Sequence, residues 1–392
     1  MRLTLWFGAL ICLGFVVAVS AAGGREFSVA LSKRLALTGL GVWAFAVGAT
    51  VDYRWWRRHQ LAIIAGALAC LALVLVPGVG VAKNGARRWI NPGLPLGFQP
   101  SEFAKVALCI WVAAYCERNL PRMRTFTHGF LLPLGVVGLA CVLILLEPDF
   151  GTAVLAGLVC VIVLLVLGTR LLFVLLATAA SLPLLHQLVL GVPYRLRRIV
   201  AFLDPFGDPQ GAGYQLVQSL IAIGSGGVTG RGLGAGLQKE AYLPGAANDF
   251  VFSVLSEELG FIGAVAVIVL FVALLWELLR VVQGSRDPFG FGLSLGLTVL
   301  LGVQVVAHIA VTTGCVPTKG LSLPFISAGG SSLIASMFAA GVLVNVARSQ
   351  EDHHRHERKP WYEDIPLYER LAGRVVRPLG ELCRRKLEPH LE

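Results

Sequence analysis

Ten apolar runs follow one another along this chain, each approaching the roughly 20 residues that a helix needs to cross a bilayer core. They are Leu3 to Ala22, Leu35 to Val51, Leu61 to Val76, Phe103 to Tyr115, Phe130 to Leu146, Thr152 to Gly168, Leu171 to Leu190, Phe250 to Leu279, Gly290 to Val311 and Ser332 to Val346. In hydrocarbon, backbone donors and acceptors have to pair within the segment, so such runs read as helices. The expected fold is all-α: a polytopic membrane protein of about ten transmembrane helices, with a large extracytoplasmic loop between helices 7 and 8. Of the 392 residues, 56% are hydrophobic and only 14% charged, which excludes an ordinary soluble domain. The Phe103 run is short, so its helix is expected to take in Glu102 and Lys105 at the outer end. The first run follows Arg2 and ends in small residues, as a signal peptide would. It is longer than a usual signal core, and a retained first helix is the expectation. The eight cysteines form no CxxC pair and support neither a disulfide framework nor a zinc site.

An even number of spans puts both termini on one side, and the positive-inside rule makes that side the cytoplasm. Of 33 Lys and Arg residues, 20 then lie inside, ten of them in the tail after Val346. The 13 left outside are clustered: Arg25, Lys33 and Arg34; Lys83, Arg87, Arg88 and Lys105; Arg195, Arg197, Arg198, Arg231 and Lys239; and Lys319. Long loops translocate regardless of charge, which is one explanation. The other is a site for an anionic group such as a lipid pyrophosphate, held by Arg forks and Lys point charges.

The large loop, about 191 to 249, is long for a connection inside a compact bundle and is expected to be functional. A helical turn would put Arg195 and Arg198 on one face. A short helix is expected over Tyr214 to Ile223, followed by a close-packed glycine turn. Asn248 and Asp249 stand where an N-cap should stand before the next long helix, so capping is the structural explanation of Asp249. At 100 degrees per residue Asp249, Ser253, Ser256 and Glu257 share a face, a polar stripe on an apolar helix. A carboxylate beside a basic cluster at membrane depth points instead to chemistry. Glu102 and Lys105 stand three apart, which allows an internal ion pair. EPDFGTA places Glu147 and Asp149 between the fifth and sixth runs, and PTKGLSLPFISAGGSS is a Pro/Gly-punctuated loop carrying Lys319 that could re-enter the bundle.

Taken as an ordered set, six segments resemble the SEDS family of cell-wall polymerases (FtsW, RodA and SpoVE) over about residues 5 to 348. They are NGARRWI, QPSEFAK, EPDFGTA, YRLRRIVAFLDPFGDPQGAGYQLVQSL, YLPGAANDFVFSVLSEELG and PTKGLSLPFISAGGSS. The NDF segment and the PTKGLSLPFIS loop are similar to the FtsW branch more than the RodA branch. The resemblance implies a peptidoglycan glycosyltransferase that polymerises lipid II, paired with a class B penicillin-binding protein and other divisome proteins, with no nucleic acid involved. It implies that Asp249 is the catalytic acidic residue and that Glu102 with Lys105 is an important charged pair. Arg88, Arg195 and Arg198 match basic positions near a substrate cavity, and Lys239 and Glu258 also match. The chain departs from the family at Gly245 and Ala247, where Glu and His are common, and at Ala328, where Tyr is common.

Forming a β-1,4 bond from an α-linked lipid II donor requires inversion by direct displacement, for which one general base suffices. Asp249 would take the proton of the attacking 4-hydroxyl, while Arg and Lys groups stabilise the departing pyrophosphate. A divalent cation, Mg or Mn, is the only cofactor candidate and no metal ligands are assigned. The competing class is a lipid II flippase, which would carry ionisable groups at the midplane and a repeated half. The same polymerase chemistry in elongation or sporulation is the alternative to septal division. The bacterial cytoplasmic membrane, at the septum, is the expected location. Residues 1–348 are expected to form the membrane domain and 349–392 a charged cytoplasmic tail, rich in His, that lies on anionic lipid or binds a partner.

Overall fold

A computed structural model describes residues 2–21, 27–83, 86–90, 97–191, 193–238 and 243–353. Each apolar run forms a helix. In chain order the elements are α1 (Arg2–Ala21), α2 (Phe27–Thr50), the short α3 (Tyr53–Arg58), α4 (Gln60–Leu75), strands β1 (Gly80–Lys83) and β2 (Ala86–Ile90), then α5 (Pro100–Asn119) and α6 (Leu132–Leu146). There follow α7 (Phe150–Val166), α8 (Leu171–Leu190), α9 (Pro193–Leu203), α10 (Tyr214–Ser225), α11 (Val251–Gly284), α12 (Pro288–Thr312) and α13 (Gly330–His353). Among the described residues, Leu3–Ser20, Thr127–Leu146, Val251–Gly284, Pro288–Thr312 and Gly330–Gln350 are long and apolar enough to cross a membrane. α4, α7 and Leu171–Pro183 are shorter apolar helices, while α2 and α5 carry Lys33, Arg34, Glu102 and Lys105 within their length. The body of the protein is an all-α polytopic membrane bundle.

α5 is buried nearly all round, as a helix at the centre of a bundle must be. α4, α7 and α12 pack on it, and α2 packs on α13. Trp43, Phe261, Val269 and Val272 point outwards from the bundle, which in a bilayer costs nothing because the surroundings are as apolar as the core.

Two strands interrupt the helical pattern. β1 and β2 pair antiparallel, Gly80 opposite Ile90 and Lys83 opposite Ala86, with a register irregularity at Val81/Ala82. They carry Arg87 and Arg88 to the end of the bundle that bears the large loop. Within that loop α9 holds Arg195, Arg197 and Arg198, and α10 begins at Tyr214 as expected but runs to Ser225.

The glycine-rich segment after α10 folds onto the first turns of α11. α11 breaks at Gly260, whose φ of 68° and ψ of −168° are outside the range of other residues. The break frees backbone carbonyls and amides of α11, and the loop pairs with two of each. Arg231 N–H donates to the Glu257 carbonyl and Gly232 N–H to that of Glu258, both at 3.0 Å, while Phe261 and Ile262 N–H donate to the Gly227 and Val228 carbonyls at 2.9 and 3.2 Å.

Candidate active site at the loop end of the bundle

The site is built around the connection between α6 and α7. Asp149 caps α7, its Oδ1 accepting from Thr152 N–H at 3.3 Å, and it is 3% exposed. Such a buried carboxylate needs compensating charge. Lys319, from the loop between α12 and α13, donates to Oδ1 at 2.8 Å, and the Arg88 guanidinium stands 4.0 Å from Oδ2. The Lys319 side chain lies across Gly151, where a methyl group would overlap it. Burial alone would raise the Asp149 carboxyl, but Lys319 and Arg88 outweigh it and hold the group below its ordinary range. Burial lowers Lys319, an effect that Asp149 opposes and Arg88 and Lys105 reinforce.

Arg88 also donates through Nε to the Glu147 carbonyl at 3.2 Å and through Nη2 to that of Pro148, satisfying acceptors at the end of α6. Below this cluster, Lys105 and Glu102 form a buried ion pair at 3.0 Å on α5, the pairing that their spacing allows.

Asp249 lies at the edge of the same group. The capping alternative does not hold for Asp249. α11 starts at Val251, its N-cap is Phe250, and no side chain caps it. The turn Gly245–Asp249, closed by Asp249 N–H to the Gly245 carbonyl at 2.8 Å, ends one residue too early for the carboxylate to reach the helix amides. The carboxylate instead lies over Gly320, where a methyl group would come 2.5 Å from Oδ2. Burial raises the Asp249 carboxyl above its usual range, while Arg198 and Arg88 pull it back. Arg198 is tied in turn to the Lys319 loop, donating to the Thr318 carbonyl at 2.8 Å. Arg88, Asp149, Arg198, Asp249 and Lys319 therefore form one electrostatically coupled cluster, built from β2, the start of α7, α9, the turn before α11, and the α12–α13 loop.

Ser256, Glu257 and Glu258 serve elsewhere. Glu257 accepts from Leu237 and Gln238 N–H at 2.9 and 3.2 Å, Glu258 accepts from Ser20 Oγ of α1 at 2.6 and 2.7 Å, and Ser256 Oγ donates to the Phe252 carbonyl. The stripe holds the glycine-rich loop and α1 in place. Ser253 meets Ser219 of α10 at 2.6 Å. Lys239 and the tail from 354 lie outside the described residues, as does the Arg195 side chain, although its backbone is in α9. Two of the departures from the family pattern meet: Ala328 N–H donates to the Ala247 carbonyl at 3.0 Å.

Glu147 was readable only as one of two loop acids. It is fully buried, neither carboxyl oxygen has a hydrogen-bond partner among the described residues, and burial followed by the nearby Asp149 pushes its carboxyl up to about 8. Its position beside an Asp that caps the next helix was a signal that two like charges would crowd there.

The family model of the cell cycle proteins FtsW, RodA and SpoVE matches residues 1–352. The chain is 42% identical over 353 residues to a probable peptidoglycan glycosyltransferase FtsW of Geobacter sulfurreducens, covering 86% of this chain and 92% of that one. It is 40% identical over 316 residues to stage V sporulation protein E of Bacillus subtilis, covering 81% and 86%. A solved peptidoglycan synthase complex, described as coordinating polymerization and crosslinking, contains a chain that superposes with a TM-score of 0.74 at 33% identity, over 89% of this chain and 97% of that one. With the ordered motifs, the bundle and the charged cluster all in place, the chain belongs to the FtsW/RodA/SpoVE family.

Proposed function

We propose that this protein is a peptidoglycan glycosyltransferase that polymerises lipid II on the outer face of the bacterial cytoplasmic membrane during septal wall synthesis. The observation that carries the proposal is the Asp249 carboxylate. It caps no helix, accepts no hydrogen bond among the described residues, and borders a cluster containing Arg88, Arg198 and Lys319. A base with a free lone pair beside fixed cations suits inverting displacement. Asp249 takes the proton of the incoming 4-hydroxyl as that oxygen attacks the donor anomeric carbon. The bond to the pyrophosphate breaks in the same step, and the cations receive the departing charge. No three His, Cys, Asp or Glu side chains gather as a metal site among the described residues.

The FtsW names of the similar proteins support a division role, and the solved synthase complex, described as coordinating polymerization and crosslinking, supports pairing with a cross-linking partner; a class B penicillin-binding protein is the partner that the family resemblance implies. A flippase is disfavoured because the coupled charges gather at helix ends rather than at mid-helix breaks.

The test is polymerisation of labelled lipid II by the purified protein with its partner. Asp249→Asn should lower the rate by a factor on the order of 10² to 10⁴ with folding intact. Because burial raises the Asp249 carboxyl, the parent rate should fall on acidification at a pH above the ordinary Asp range, as the base takes up its proton. An Asp249→Asn protein working at the parent rate would return the residue to a structural role.

A further inference from the structure

Arg34 sits in the second turn of α2 and is 6% exposed. A buried guanidinium is costly unless paired, yet among the described residues its hydrogen bonds go only to main-chain carbonyls. Nη1 donates to Ser327 O at 2.9 Å and Nη2 to Ile326 O at 3.4 Å, while Nε has no partner. The acceptors belong to the loop that carries Lys319.

His308, fully buried on α12, holds the same loop from another side, its Nδ1 lying 2.6 Å from the Leu321 carbonyl oxygen. A carbonyl oxygen only accepts, so Nδ1 carries the proton. The loop in turn fixes the segment that ends in Asp249. Ser327 Oγ donates to the Asn248 carbonyl at 2.7 Å while accepting from Leu323 N–H at 2.8 Å. Ala328 N–H donates to the Ala247 carbonyl at 3.0 Å, and Gly320 lies directly against the Asp249 carboxylate. The path from Arg34 to Asp249 thus runs through one residue, Ser327, whose carbonyl is held by Arg34 and whose hydroxyl holds the residue before Asp249.

We propose that Arg34 and His308 are positioning residues: by gripping loop carbonyls from α2 and α12, they set the loop against which the Asp249 carboxylate is aimed. The proposal rests on Asp249 acting as the base. A fork donating to two successive carbonyls defines both distance and orientation, whereas an ammonium group is a single point charge. Arg34→Lys therefore keeps the charge and removes the geometry. His308→Phe keeps a ring of similar size and removes the donor.

The experiment uses the full-length protein with its partner, measuring kcat and KM for labelled lipid II together with hydrogen exchange at the Leu323 and Ala328 amides. Misplacing a reacting group without removing a substrate contact should lower kcat roughly 10- to 100-fold with KM little changed, and both amides should exchange faster in Arg34→Lys and in His308→Phe. Parent kcat in both variants, a loss confined to KM, or slowed turnover with unaltered amide protection would overturn the proposal. If Arg34→Lys does not fold, His308→Phe applies the same criteria to the same loop. Asp249→Asn, measured alongside, separates the two levels. A parent rate there removes the base on which the clamp acts, whereas a slow Asp249→Asn with fully active clamp variants removes the clamp alone.

Discussion

Glu147 and Asp149 stand two residues apart, and the fold drives their carboxyls in opposite directions. Asp149 faces Lys319 and Arg88 and is held low, whereas Glu147 offers Arg88 its carbonyl and buries its own carboxyl with no hydrogen-bond partner among the described residues. For Glu147, raised from 4.5 to about 8, the neutral form is favoured in the folded state. Its contribution to stability is complete below about pH 4.5 and is lost as pH rises through about 8. Asp149 has the reverse sign: its contribution is present above its unfolded pKa and is lost only as pH falls through the depressed folded value. Glu147→Gln should therefore flatten the fall in melting temperature that the parent is expected to undergo between about pH 5 and 8, and a variant whose melting temperature tracks the parent across that window would contradict the assignment. Lys319→Met would leave Asp149 buried with the Thr152 N–H bond and, among its described cations, only the longer Arg88 contact. The cost should be about 2–3 kcal/mol, below the 3–5 of a fully buried pair because Lys319 is partly exposed. Thermal unfolding measures it, and an unchanged melting temperature would mean that Arg88 alone suffices. The sequence showed two acids beside a basic cluster. It could not show which one is paired, because that depends on Lys319 arriving 170 positions later in the chain.

At the level of elements, local pattern was most informative where a segment's environment is uniform and least where a turn decides the geometry. The polar face of α11 was legible from 100-degree spacing, but Asp249 does not share it, because the helix starts two residues later. Extending helical periodicity backwards through a non-helical turn joined residues that the fold separates. The hairpin carried its own signal: Asn84 and Gly85 lie between two short runs at the spacing of a two-residue hairpin loop. In so apolar a chain that signal reads as a mere break between spans. The division of labour between α11 and the glycine loop also depends on Gly260. Gly260→Ala would force an L-residue into a glycine-only conformation and drive its methyl group towards the Gly230 amide. A loss of at least about 1–3 kcal/mol is expected from strain alone, together with faster hydrogen exchange at Arg231 and Gly232. Parent-like exchange at those amides would show that the loop holds without the break.

For the whole molecule, the bilayer criterion made the helices readable because one physical requirement, internally paired backbone, acts on every span alike. It says nothing about lateral neighbours, so the placement of α5 at the centre came only from packing. Orientation rests on charge. The coupled cluster lies at the loop end, whereas Arg57 with Glu117, Arg280 with Glu277, and Tyr53 with Asp287 lie at the opposite helix ends. For the end that bears Arg57, Arg118, Arg122, Arg124, Arg280 and Arg286, the positive-inside rule predicts the cytoplasm. On that prediction the Asp249 end, with Arg88, Arg198 and Lys319, faces outwards against the topogenic bias. Single cysteines introduced in a cysteine-free background decide it. Positions 122 and 286 flank the far ends of α5 and α11, while 210 and 235 are exposed in the large loop. An impermeant thiol reagent applied to intact spheroplasts should label Gln210→Cys and Ala235→Cys, and should reach Arg122→Cys and Arg286→Cys only after the membrane is opened. The reverse order would put the charged cluster in the cytoplasm, on the side where lipid-linked precursors are made, and would turn the glycosyltransferase site to the wrong face for wall assembly. Labelling of all four from one side would instead remove α11, together with one or all three of α6, α7 and α8, from the set of helices that cross.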